Sequence, residues 1–115
     1  VNSSLRPSIV KDSIFTVSEE GFLIVIDSKS GKIIRSTDLF DKFKIKKRKK
    51  IKPTGFVLGS KKLYLSTSTG RLLIVDIETG KTQSIIKIDS EKISRPIILK
   101  QSLFVVKNNS VIKLN

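Results

Sequence analysis

The chain contains no histidine, no cysteine, no tryptophan and no methionine. Without histidine there is no imidazole to activate a serine and none to bind a metal. Without cysteine there is no thiolate nucleophile, no zinc–thiolate cluster and no disulfide. The lack of cysteine is compatible with any compartment. No run of 18 or more apolar residues occurs, so no transmembrane helix is expected. No signal peptide is visible. The first residue is Val1 rather than Met, so the N-terminus is expected to have been removed by processing, cloning or proteolysis, and a leader could have gone with it. Acidic residues are scarce, 10 against 23 Lys and Arg.

The 115 residues fit one domain or a piece of one. With 38% apolar and 29% charged residues, the composition predicts a soluble, folded chain rather than a disordered one. The net charge of +13 matters most where it is focused. Lys42, Lys44, Lys46, Lys47, Arg48, Lys49, Lys50 and Lys52 place eight of the 23 cations within eleven residues.

An internal repeat organises the rest. Gly21-Phe-Leu-Ile-Val-Ile-Asp27 recurs as Gly70-Arg-Leu-Leu-Ile-Val-Asp76, and Asp27-Ser-Lys-Ser-Gly-Lys32 recurs as Asp76-Ile-Glu-Thr-Gly-Lys81, both at an offset of 49 residues. Ser13-Ile-Phe-Thr-Val17 parallels Lys62-Leu-Tyr-Leu-Ser66. A basic residue followed by proline opens each unit: Arg6-Pro7, Lys52-Pro53 and Arg95-Pro96. The third unit ends at Asn115, where the earlier two carry Asp27 and Asp76.

Short runs of Val, Ile, Leu, Phe and Tyr between turn residues predict strands. They fall near 8–10, 13–17, 22–27 and 32–38, then 55–58, 62–66, 71–76 and 81–88, then 97–99, 102–107 and 110–114. No stretch carries a sustained 3.6-residue apolar period over a helical length. Gly21 and Gly70 occupy the turn before the third strand, where positive φ is expected, and Asn109 takes that place in the third unit. Asp27 and Asp76 end the third strand and can accept hydrogen bonds from amides of the next turn, which Gly31 and Gly80 complete. The prolines stand at strand starts, where a missing ladder donor is tolerated. Third strands such as Phe22–Ile26 and Leu72–Val75 are apolar on both faces, as strands buried between stacked sheets are.

A repeated four-stranded antiparallel unit of 40 to 50 residues predicts an all-β propeller fragment of about 2.75 blades, the last lacking its outer strand. The expected division is a blade at 1–40, a basic inter-blade loop at 41–52, a blade at 53–92 and a partial blade at 93–115. The pattern of an aromatic strand, a Gly-hydrophobic-Asp strand and a Ser/Thr-Gly-Lys turn resembles the blades of quinoprotein-like (PQQ-like) propellers. Lys87-Ile-Asp-Ser-Glu91, Arg95-Pro96 and Val111-Ile-Lys-Leu114 resemble the C-terminal end of the BamB-type outer-membrane assembly lipoproteins, and the likeness covers about the last third of such a protein.

That resemblance implies an eight-bladed ring on the periplasmic side of the outer membrane, tethered through an N-terminal lipid anchor. It implies a non-enzymatic scaffold that binds the barrel-inserting subunit of the assembly machinery. The basic insertion departs from the family. Quinone-dependent dehydrogenases share the fold but repeat a Trp in each blade. Here the equivalent strands read Lys32-Ile-Ile-Arg35 and Lys81-Thr-Gln-Ser84. No cofactor is implied.

Four features are candidate sites. The basic stretch 42–52, with Phe43, Ile45 and Ile51 interleaved, would suit nucleic acid or an anionic surface, although a solvated loop is the commoner outcome for such a run. Asp27–Lys32 and Asp76–Lys81 place Gly-Lys after small polar residues, but the spacing is wrong for a phosphate loop and no helix follows, so a β-turn is expected. Asp27, Asp76 and Asp89 are isolated acids rather than an alternating calcium-ligand run. Ser66-Thr-Ser-Thr69 has no base to activate it, and reads as a polar turn. No catalytic, metal-binding or cofactor-binding residue is expected.

The third unit would expose the backbone of its last strand, and the first unit one sheet face, so further blades or other copies of the chain are expected to cover them. Three functions compete: a protein-interaction scaffold without catalysis, a propeller that binds nucleic acid or an anionic surface through the loop at 42–52, and a fragment of a propeller enzyme with its active site elsewhere.

Overall fold

In the computed structural model, residues 6–48, 50–89, 92–107 and 110–114 are described. Each β-rich run folds into a strand, and the strands form three antiparallel meanders. The first contains β1 (Ser8–Val10), β2 (Ser13–Val17), β3 (Phe22–Asp27) and β4 (Ile33–Asp38). The second contains β5 (Pro53–Leu58), β6 (Lys62–Thr67), β7 (Arg71–Asp76) and β8 (Thr82–Lys87). The third has three strands among the described residues: β9 (Ile97–Leu99), β10 (Ser102–Lys107) and β11 (Ser110–Lys113). Within each sheet, chain order is spatial order. The expected strands are all present, with ends displaced by one or two residues. Lys32 and Lys81 fall outside β4 and β8 because their carbonyls close the preceding turn instead of joining the ladder.

The sequence echo is a structural echo at the level of register. Ser13 pairs with Asp27 and Lys62 with Asp76; Phe15 pairs with Val25 and Tyr64 with Ile74. The bulge also repeats, between Val25 and Ile26 and between Ile74 and Val75. A bulge sharpens local twist, so both outer strands leave their sheets at matching places.

Strand alternation then decides which side chains meet. Phe15, Val17, Leu23 and Val25 cover one face of the first sheet and pack against Phe56, Leu63, Leu65, Leu73 and Val75 of the second. The opposite face of the second sheet brings Leu72, Tyr64 and Val57 against Leu103 and Ile98 of the third, with Ile93 buried among them. The middle sheet is therefore apolar on both sides. Fully burying one such Leu or Val contributes about 1.5–3 kcal/mol. The outward faces of the two end sheets carry exposed apolar residues: Ile9, 70% exposed, on the first, and Leu99 and Val111, 61% and 69% exposed, on the third.

Polar contacts fix the stacking angle. The Arg35 guanidinium on β4 donates to the carbonyls of Ile77 (2.6 Å) and Glu78 in the β7–β8 turn. Buried Thr82 donates to the Leu39 carbonyl at 2.9 Å. Between the second and third sheets, the Arg95 side chain passes directly over Gly55, where a Cβ would come within 2.5 Å of the arginine Cβ, and its Nε donates to the Phe56 carbonyl.

The β3–β4 and β7–β8 turns share one construction. The Asp27 amide donates to the Lys32 carbonyl and the Gly31 amide to the Asp27 carbonyl, both at 2.8 Å; Asp76, Lys81 and Gly80 repeat this. The Asp76 carboxylate accepts from the Glu78 amide at 2.8 Å, and the Asp27 carboxylate accepts from the Ser30 hydroxyl at 2.7 Å. The Ser30 bond, with help from the Lys29 and Ser30 amides, holds the Asp27 carboxyl below its ordinary pKa against the upward push of desolvation. The folded value is the depressed one. Its contribution to stability is therefore present above the unfolded value, about 3.9, and is lost as pH falls through the folded value. Ser30→Ala is expected to raise the Asp27 midpoint toward the unfolded value in a carboxyl-carbon NMR titration.

At the other end of the first sheet, Gly21 has φ +90°, and a Cβ there would lie 2.3 Å from the Phe40 ring. Gly31 also has positive φ, +74°, but open space around it. Gly31→Ala is expected to cost about 1–2 kcal/mol, the backbone penalty alone. Gly21→Ala adds the displacement of a buried ring, about 1–3 kcal/mol more. Urea denaturation of the two variants checks the order.

Candidate functional site

The antiparallel meanders separate the loops into two rims. One rim holds the β1–β2, β3–β4, β5–β6, β7–β8 and β9–β10 turns, so Asp27, Gly31, Asp76 and Gly80 lie there, engaged in backbone hydrogen bonds. The other holds the β2–β3 and β6–β7 turns with Gly21 and Gly70, together with the described parts of the long connections 39–52 and 88–96. Leu39 donates to the Gly21 carbonyl, Ser68 to that of Lys52 and Ile88 to that of Gly70, tying the connections to the turns. Gly70 has φ +74°. Asn109 lies outside the described residues, as does Lys49.

The basic connection differs from the plain loop expected. It contains one helical turn, α1 (Ile45–Arg48). The Arg48 and Lys47 amides both donate to the Lys44 carbonyl. The turn is pinned by Asp38 at the end of β4. One carboxylate oxygen accepts from the Phe40 amide and the other from Arg48 Nη1, both at 2.9 Å. Arg48 Nε also donates to the Phe43 carbonyl at 3.2 Å. Two of the interleaved apolar residues turn inward. Ile51 is buried in the main core, and Phe43 sets its ring edge-on to buried Phe40, centroids 5.6 Å apart. They anchor the segment because a chain leaving β4 must cross the end of the core to reach β5, and apolar side chains there escape water.

The eight cations therefore divide. Arg48 is a structural clasp. Lys42, Lys44, Lys46, Lys47, Lys50 and Lys52 are solvent-exposed. Of these, Lys47 and Lys50 converge with Arg71, at the start of β7, around a cavity of about 330 Å³ that is also lined by Phe43, Ile51 and Thr69. Arg71 was missed by the sequence reading. Its signal was a break in the repeat, since Arg71 stands where the first unit has Phe22. Asp38 and Arg35 were missed too, because each acts through a partner distant in the chain. Among the described residues, no three acidic side chains converge as metal ligands.

Three stacked antiparallel meanders, the first two sharing one register at an offset of 49 residues, are consecutive blades of a β-propeller. The chain's fold is similar to those of BamB, quinohemoprotein alcohol dehydrogenases and WD40 propellers alike. BamB from Moraxella catarrhalis superposes with a TM-score of 0.71 at 13% identity, over 96% of this chain and 31% of that one. Quinohemoprotein alcohol dehydrogenase from Comamonas testosteroni gives 0.69 at 20% identity, over 90% and 17%. The β-propeller domain of Cps50 (Swd1) from Myceliophteria thermophila gives 0.68 at 21% identity, over 84% and 32%. At these identities the likeness is one of fold. The chain spans about a third of the first and last of these proteins and less of the dehydrogenase. No protein-family model matches the sequence, and no curated protein matches it.

Arg48→Ala is expected to lower stability by about 1 kcal/mol, as it removes a partly exposed ion pair and a carbonyl hydrogen bond. It should speed amide exchange at Lys47 and Arg48. Lys44→Ala, at an exposed position, should change stability by less than about 0.5 kcal/mol.

Proposed function

We propose that this chain is a non-catalytic part of a propeller scaffold, and that it presents the rim built by the 39–52 and 88–96 connections to a protein partner. The observation that carries this is the construction of the 39–52 connection. The Asp38–Arg48 clasp and the Phe40–Phe43 pair hold a long insertion against the core while its six described lysines stay in solvent. A pre-ordered rim loses little conformational entropy on docking. Loops carried on a rigid sheet scaffold are where binding commonly resides. The composition supports a role without catalysis, since the chain has neither histidine nor cysteine to act as base, nucleophile or soft metal ligand. The propeller neighbours include both an alcohol dehydrogenase and BamB. The strands equivalent to the Trp-bearing ones of quinone-dependent enzymes carry none here, which favours the scaffold.

The finer reading is a BamB-like role in outer-membrane β-barrel assembly on the periplasmic side of that membrane, with the barrel-inserting subunit as partner. The likeness to BamB over nearly the whole chain supports it. Photo-crosslinking in the cells that make the protein tests both levels. A photoreactive residue at Lys46, on the basic rim, is expected to give a discrete protein adduct, and one at Lys29, on the opposite rim, none. Mass spectrometry of the adduct should identify an outer-membrane barrel-assembly subunit. A different protein partner would remove the finer reading, and adducts to RNA or lipid alone would remove the scaffold.

A further inference from the structure

The rim cations are not spread evenly, and the place where they converge has a shape. Lys47 projects from α1, Lys50 from the segment just after it, and Arg71 from the first residue of β7. Phe43 and Ile51 supply the cavity's apolar lining, and Thr69 lines it as well. The volume, about 330 Å³, falls at the small end of the range for ligand pockets, roughly 300–1,000 Å³. Arg71 is pre-positioned, because its Nη1 donates to the carbonyls of Thr69 (2.8 Å) and Asp89 (3.3 Å). Among the described residues, its Nε and Nη2 and the ammonium groups of Lys47 and Lys50 have no hydrogen-bond or ion-pair partner. Three cations thus surround an apolar lining on a fixed frame.

We propose that this pocket binds a short acidic segment of a partner protein, with carboxylates on Lys47, Lys50 and Arg71 and one apolar side chain resting on Phe43. The proposal rests on the scaffold reading and names the part of the rim that does the binding. A peptide fits better than a nucleic acid on two grounds. A polynucleotide gains affinity from many phosphates along a continuous cationic track. Here the track is broken, since Arg48 and Lys52, next in the chain to Lys47 and Ile51, line a separate cavity with Glu19 and Glu20. Single strands also need several aromatic faces to stack successive bases, whereas Phe43 is the one aromatic side chain lining the pocket among the described residues. A mixed acidic and apolar peptide matches both the charge and the lining.

The test is fluorescence anisotropy of a labelled five-residue peptide, acetyl-Glu-Asp-Phe-Asp-Glu-amide, titrated with the full chain at low ionic strength. Saturable binding is expected. The double variant Lys47→Gln/Lys50→Gln should weaken it by about tenfold, as should Arg71→Gln. The variant Lys29→Gln/Lys32→Gln removes the same charge from the opposite rim and should leave affinity within about twofold. Replacing the peptide's phenylalanine by serine should also weaken binding. The lysine pair is exposed, so its substitution leaves the fold intact, as an unchanged far-ultraviolet spectrum would confirm. No binding by the unaltered chain, equal losses from both lysine pairs, or stronger binding of an oligothymidylate or of phosphatidylglycerol vesicles at equal charge would overturn the proposal. If Lys46 still crosslinks to a protein partner while the peptide fails, the pocket is wrong and the scaffold reading stands.

Discussion

A four-stranded sheet whose central strand is apolar on both faces cannot hide both faces by itself. The second meander meets this constraint by lying between two others, and its Leu63, Leu65, Leu73 and Val75 are buried on one side and Leu72 on the other. The stacking is non-directional in origin, since the hydrophobic effect rewards area removed from water. Direction comes from the polar clasps at the margins: Arg35 to the next turn, Thr82 to Leu39, and Arg95 over Gly55. The same constraint explains the exposed Ile9, Leu99 and Val111 on the outer faces of the end sheets.

The two rims obey different physics. On one, the β3–β4 and β7–β8 turns satisfy their own backbone through an Asp, a hydroxyl and a glycine with positive φ, and the two copies repeat the same bonding. Such self-contained turns leave little for a ligand to engage. On the other rim the connections must travel from the outer strand of one blade to the inner strand of the next. They are long, and the first of them, 39–52, carries the densest charge in the chain. The insertion before β5 spends Phe40, Phe43 and Ile51 on anchoring and leaves Lys42, Lys44, Lys46, Lys47, Lys50 and Lys52 in water, a division that makes a cationic edge.

Much of the fold was legible before any coordinates. The 49-residue echo located the strands, the turn glycines and the shared register, because strand period, turn chemistry and repeat spacing are local properties of the chain. The helical turn at Ile45–Arg48 was not legible. Four residues carry no measurable periodicity, and this turn exists because Asp38 and the end of the core hold it. Arg48 looked like one cation among eight until its partner was known. Arg71 was visible only as an interruption of the repeat at Phe22.

By itself the sequence determined that the chain would form stacked antiparallel sheets, since alternating apolar runs between Gly and Asp turns have few other ways to leave water. It also determined that a dense basic segment would join two of them. Only the tertiary structure decided which cations act together. Lys47, Lys50 and Arg71 are separated by up to 24 positions in the chain, and they converge because the stacking of two blades brings a connection over the end of a strand. Charge can be counted along a sequence, but the shape of the place where charges meet is set by packing between segments that do not adjoin.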